Sequence, residues 1–112
     1  MAKNFIEAIE MTSIDSATFT GNLQALNTDG LDEACTMIRI TNNSDRDITI
    51  SYDGVTEHDF LRSDDKLELN LQANSQSAGY ISKMKQGTVV YVAGLAGGTG
   101  LIYLAGYYNP TN

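Results

Sequence analysis

The chain has no Trp, one Cys, one His and one Pro in 112 residues, and its last charged residue is Lys85. Each scarcity excludes something. With Cys35 alone no intrachain disulfide can form, which fits assembly in a reducing compartment. A single imidazole, His58, is far from the multi-ligand pattern of a zinc site. It is also the one residue that any Ser-His-Asp hydrolase could use, and no Ser here sits in a nucleophile elbow. Basic residues are few: seven Lys plus Arg stand against fourteen Asp plus Glu, a formal charge of −7. A chain this acidic, with no basic run, repels phosphate backbones, so nucleic acid is not expected as a direct ligand. The N-terminus lacks the apolar run of a secretory signal, because Glu7 and Glu10 interrupt it, and it reads as that of a cytoplasmic product.

What is present is β-forming sequence punctuated by turns. The 42% hydrophobic content is ordinary, and ten Gly with many Asn, Asp, Ser and Thr predict short strands in one domain spanning residues 1–112. The organising stretch is Gly87 to Tyr108, where two uncharged β-rich runs, Thr88 to Ala93 and Leu101 to Tyr108, flank Gly94 to Gly100. This reads as a terminal hairpin about a flexible glycine turn. Its apolar residues are contiguous, so each strand has to be covered on both faces, by its own core and by a second layer or another chain.

Earlier in the chain, residues 1–16 read as an N-terminal arm or strand. Ala17 to Ala25 alternates, with Phe19, Gly21, Leu23 and Ala25 on one side. Ile38 and Ile40, then Ile48 and Ile50, then Leu67, Leu69 and Leu71 mark half-buried strands. Asn42 to Arg46 reads as a turn, as does Arg62 to Asp65. Asp53-Gly54 predicts a type I′ hairpin with a return strand over Val55 to Leu61. Ala73 to Gly79 reads as a polar loop, and Tyr80 to Met84 as a short strand or bend. Seven to eight short strands at this spacing predict an all-β, antiparallel, jelly-roll-like β-sandwich.

The chemistry these residues suggest is slight. Gly94 to Gly100 has no GxxxxGK[ST] and precedes a strand instead of a helix, so a phosphate loop is not expected. Thr88 to Tyr108 is long enough to span a bilayer as a helix, but its Gly, β-branched and Tyr residues favour strands, and no membrane is expected. Glu57-His58-Asp59 and Asp45-x-Asp47 read as exposed polar surface, with no metal, cofactor or catalytic residue assigned. Asn42-Asn43-Ser44 matches a glycosylation sequon but reads as a turn. Tyr91, Tyr103, Tyr107 and Tyr108 are the candidate interface residues, since amphipathic aromatics are enriched at protein contacts and equally serve a core.

Cys35-Thr-Met-Ile-Arg-Ile-Thr-Asn-Asn-Ser44, Ile48-Thr-Ile-Ser-Tyr-Asp-Gly54 and Asp59-Phe60 together resemble small structural proteins of tailed bacteriophages. So do Leu67 to Leu71 and the ending from Lys85 to Tyr108, and the resemblance covers Ala17 to Tyr108. It implies a non-enzymatic virion component, made in the host cytoplasm, with other virion proteins as partners and a homo-oligomeric state. The first expectation is an accessory protein decorating or stabilising the capsid head. A neck or tail joining subunit in a ring is the alternative. A carbohydrate- or receptor-binding module is the rival of another class, against which the absence of Trp argues mildly.

Overall fold

Alternation sets the central strands. In β4 (Met37–Ser44) the residues Ile38, Ile40, Asn42 and Ser44 turn inward and are buried. In β5 (Ile48–Ser51), Ile48 and Ile50 do the same. These strands belong to different sheets of a computed structural model that describes residues 6–71 and 83–108. The polar loop expected at Ala73 to Gly79, most of Tyr80 to Met84 and the first residues of the N-terminal arm lie outside that range.

Nine strands are described, all in antiparallel pairs, with one short 3-10 turn. The first sheet joins β1 (Glu7–Ala8) and β2 (Thr12–Asp15) to one side of β9 (Gly100–Tyr108). On its other side β9 pairs with β4, and β4 with β7 (Lys66–Asn70). The second sheet runs β3 (Gln24–Ala25), β8 (Tyr91–Ala93), β5, β6 (Asp59–Leu61). From β2 onward only β5 and β6 are consecutive partners in one sheet, and every other connection crosses between sheets. That order is the jelly-roll arrangement, an all-β double sheet, as the strand spacing predicts.

The core lies between the sheets. Ile38 and Ile40 of β4, Ile102 and Leu104 of β9, Ile48 and Ile50 of β5 and Val92 of β8 are all buried, with Phe19, Leu26, Leu31 and Leu61 around them. Fully burying such a side chain contributes about 1.5–3 kcal/mol.

Four expectations are corrected. The terminal hairpin does not exist: β8 is central in the second sheet and β9 in the first, so Gly94 to Gly100 crosses between layers. That crossing is packed. A Cβ on Gly94 would stand 2.7 Å from the Phe19 ring, and one on Gly98 2.7 Å from Ser16 Oγ. Ala17 to Ala25 is not a strand along its length, because Asp15 Oδ1 accepts from Ala17 N at 2.9 Å and starts the 3-10 turn Ser16–Thr18. Strand geometry returns only at Gln24–Ala25. Asn42 to Ser44 are strand residues rather than a turn, paired with Ile102 to Gly100 of β9. Finally, β5 and β6 do form a hairpin, but not through a type I′ turn. Gly54 has φ +80° while Asp53 does not enter the positive-φ region, so residues 52–58 make a longer loop.

Within the N-terminal segment, Glu7–Ala8 and Thr12–Asp15 are strand. Ala8 faces Tyr107 and Thr12 faces Leu104, so three residues oppose two and a bulge separates β1 from β2. Ile9 lies in that bulge, its N–H donating to Gly106 O at 3.0 Å, and its side chain packs on the core.

Candidate interaction surfaces

The four candidate tyrosines do not form one surface. Tyr103 and Tyr107 share the outward face of β9 with Leu101 and Ala105, all half-buried. Arg39, across from Ala105 on β4, donates to Tyr107 Oη at 3.0 Å, with its guanidinium carbon 5.8 Å from the ring centroid. Tyr108 donates to Glu7 Oε2 at 2.9 Å, and that carboxylate acceptor raises the phenol's pKa. Tyr91 lies in the other sheet, beside Gly54. The structure therefore brings Tyr103 and Tyr107 together and separates Tyr91 and Tyr108 from them.

The most exposed large apolar residues are others. Val55 is 84% exposed, Leu95 72% and Phe60 60%. Phe60 of β6, Thr49 of β5 and Ala93 of β8 form one cross-strand row on the outer face of the second sheet. Leu95 follows Ala93 and Gly94, and with Phe60 it lines a shallow hollow of about 170 Å³. Glu57 stands beside it, accepting from Thr49 Oγ1 at 2.8 Å. Sequence reasoning passed over Phe60 and Leu95, although a signal existed. Phe60 is an aromatic out of phase with the inward Ile48 and Ile50, so it occupies a position where a solvated face needs polar residues.

The 52–58 loop gathers the titratable groups. Asp53 Oδ1 accepts from Ser51 Oγ at 2.9 Å and from the N–H groups of Val55 and Thr56 at 2.8 Å each. Those backbone donors, that of Thr56 foremost, lower the Asp53 carboxyl from 3.8 to about 2. Ser51 Oγ in turn accepts from Gly54 N at 2.9 Å. Tyr52 stacks on His58 at 5.4 Å between centroids, and its hydroxyl donates to Asp59 Oδ2 at 2.8 Å. Burial, then that bond to Asp59, pushes the Tyr52 phenol up.

This cluster is wired as a loop brace. His58 Nδ1 accepts from Tyr52 N at 3.1 Å, which places the proton of a neutral ring on Nε2, and Nε2 faces Asp53 Oδ2 at 3.9 Å. No hydroxyl or thiol of the described residues is bonded to either nitrogen, and the buried Ser51 spends its proton on Asp53. Among the described residues no group of three or more His, Cys, Asp or Glu is placed to hold a metal ion. Thr88 to Tyr108 is divided between two strands, and no helix among the described residues is long and apolar enough to cross a membrane.

The sequon is unusable as folded. Asn42 is fully buried, its amide nitrogen donating to Arg46 O at 2.7 Å and Arg62 O at 3.1 Å. Comparison with known protein families, with curated proteins and with solved structures finds no match to this chain.

Proposed function

We propose that this chain is a non-enzymatic accessory subunit of a tailed-bacteriophage particle, docking on the capsid head through the outer face of its second sheet. The observation that carries the reading is the pairing of Phe60 and Leu95, 60% and 72% exposed, over one hollow beside the edge strand β6. Single exposed apolar residues are ordinary, and two large ones lining one hollow support a contact there. The edge of β6 away from β5 pairs with no strand among the described residues, so a partner strand can add there. The acidic charge of −7 keeps free copies apart until they meet their binding surface. Jelly rolls build many viral capsid proteins, an analogy of fold that leaves function to the site.

Imaging of the intact particle tests this. Density for the subunit in threefold or sixfold clusters over the head, with Phe60 and Leu95 at the contact, is the expected result. A single ring at the portal axis moves the protein to the neck, and its absence from particles refutes the virion reading.

A further inference from the structure

A second hollow, of about 390 Å³, opens between the 52–58 loop and the segment leading into β8. Its walls are Tyr52 and Tyr91, and Asp53, Lys85 and Thr88 stand around them. We propose that this hollow is a saccharide subsite taking a neutral sugar ring.

Both aromatic walls are fixed in advance. Tyr91 is held against Gly54, where a Cβ would stand 2.9 Å from the ring. Tyr52 is held by stacking on His58 and by its bond to Asp59. Rigid rings that need no reordering lose little entropy when a ligand arrives. Asp53 lines the same hollow. Its Oδ1 takes three donors, while Oδ2 is 3.9 Å from His58 Nε2, too far for a hydrogen bond, and keeps its lone pairs for a ligand hydroxyl.

The charges select the ligand class. Asp53 and Lys85 border the same hollow without an ion pair within 4 Å of each other. An anion such as phosphate meets Asp53 and a chain of charge −7, and an ammonium ligand meets Lys85. A wholly apolar ligand would leave both groups without partners as it displaced their water. A hydroxyl both donates and accepts, so it satisfies a carboxylate, an ammonium and the Thr88 side chain in turn. A pyranose carries such hydroxyls on its rim and presents C–H faces to aromatic rings. The volume lies at the lower end of small-molecule sites, about 300–1,000 Å³.

The test is titration of the full chain with methyl glycosides of glucose, galactose, N-acetylglucosamine and rhamnose, followed by amide NMR shifts. At least one is expected to move resonances of residues 52–54 and 85–91 saturably, with a Kd on the order of 1 mM. Tyr91→Ala and the exposed-site change Lys85→Ala each weaken it by about tenfold or more, whereas Tyr103→Ala on the other sheet leaves it unchanged. Silence from all four glycosides at about 50 mM overturns the proposal. Binding insensitive to Lys85→Ala and Tyr91→Ala overturns it too, as does tighter binding of tetramethylammonium or inorganic phosphate at the same residues.

Discussion

Replacing Asn42 should unlock the two layers from each other. Asn42 is on the inward face of β4, fully buried, and its amide reaches the carbonyls of Arg46 and Arg62. Arg46 lies on the β4–β5 crossing and Arg62 on the β6–β7 crossing, so one side chain holds two passages between sheets. Its Oδ1 accepts from Ser44 Oγ at 2.6 Å and from Ser44 N at 3.2 Å. Asn42→Ala removes a donor from two carbonyls and strands the Ser44 N–H, and a buried group without a partner costs about 1–3 kcal/mol. Ser44 Oγ still reaches Arg46 O and Asp65 N still reaches Arg62 O, both at 3.2 Å, so the net loss is about 2 kcal/mol. Asn42→Asp keeps the shape but turns the donor into an anion facing carbonyl oxygens, at a cost of about 3–5 kcal/mol. Against a total stability of roughly 5–15 kcal/mol either change is severe. The introduced carboxyl would have its pKa raised in the folded state, so protonation restores the donor. The deficit of Asn42→Asp relative to the native chain therefore shrinks as pH falls through that raised value. Urea unfolding followed by circular dichroism at several pH values measures this. A loss below about 1 kcal/mol for either variant, or a pH-independent deficit for Asn42→Asp, refutes the clamp.

Gly100 has φ +106°, and an added Cβ would collide with Asn43 O, so Gly100→Ala should cost about 2–4 kcal/mol and lower the thermal midpoint by more than any exposed-face change. Asp53 has a folded-state value of about 2 against an ordinary 3.8, so the stability it contributes is complete above about pH 4 and lost as pH falls through 2. Acid unfolding of Asp53→Asn should show a shallower decline in that window than the native chain, and identical profiles would refute the brace. Phe60→Asp, at a 60%-exposed site, should shift unfolding stability by no more than about 0.5 kcal/mol. The same variant should lose co-sedimentation with capsid heads, and undiminished binding would remove Phe60 from the contact.

Much of the strand set was legible because it is written in local periodicity. Ile38 and Ile40, Ile48 and Ile50, and Leu67 and Leu69 alternate with polar residues, and they fall in β4, β5 and β7. Alternation failed at Ala17 to Ala25, where the Asp15 side chain and Thr18 Oγ1, bonded to Asp15 O at 2.7 Å, bend the backbone before a ladder can form. Pairing partners were harder, since nothing near Leu101 to Tyr108 names β4 as its neighbour. A glycine run between two β-rich segments looks the same whether it turns within a sheet or crosses between sheets. The Asp53-Gly54 signal located the hairpin and misjudged the turn, because the Asp53 carboxylate claims the Val55 and Thr56 N–H groups and lengthens the loop. The candidate surfaces were the least legible. Exposure depends on what the other elements leave uncovered, and Leu95 owes its exposure to the crossing that was read as a turn.

The long uncharged carboxyl end now has an explanation within one chain. As central strands of opposing sheets, β8 and β9 have strands on both sides, and their inward residues Val92, Ile102 and Leu104 meet across the core. What remains outward on β9 is half-buried, and Tyr107 there is already engaged by Arg39. A need for a covering neighbour therefore cannot be argued from the run of uncharged residues, whose length reflects centrality in two sheets. Exposed apolar side chains lie elsewhere, among them Phe60 and Leu95, which a short edge strand and a glycine crossing leave in water. Phe60 and Leu95 line one hollow and Tyr52 and Tyr91 another, with no residue in common, so substitutions at either can be read separately from the other.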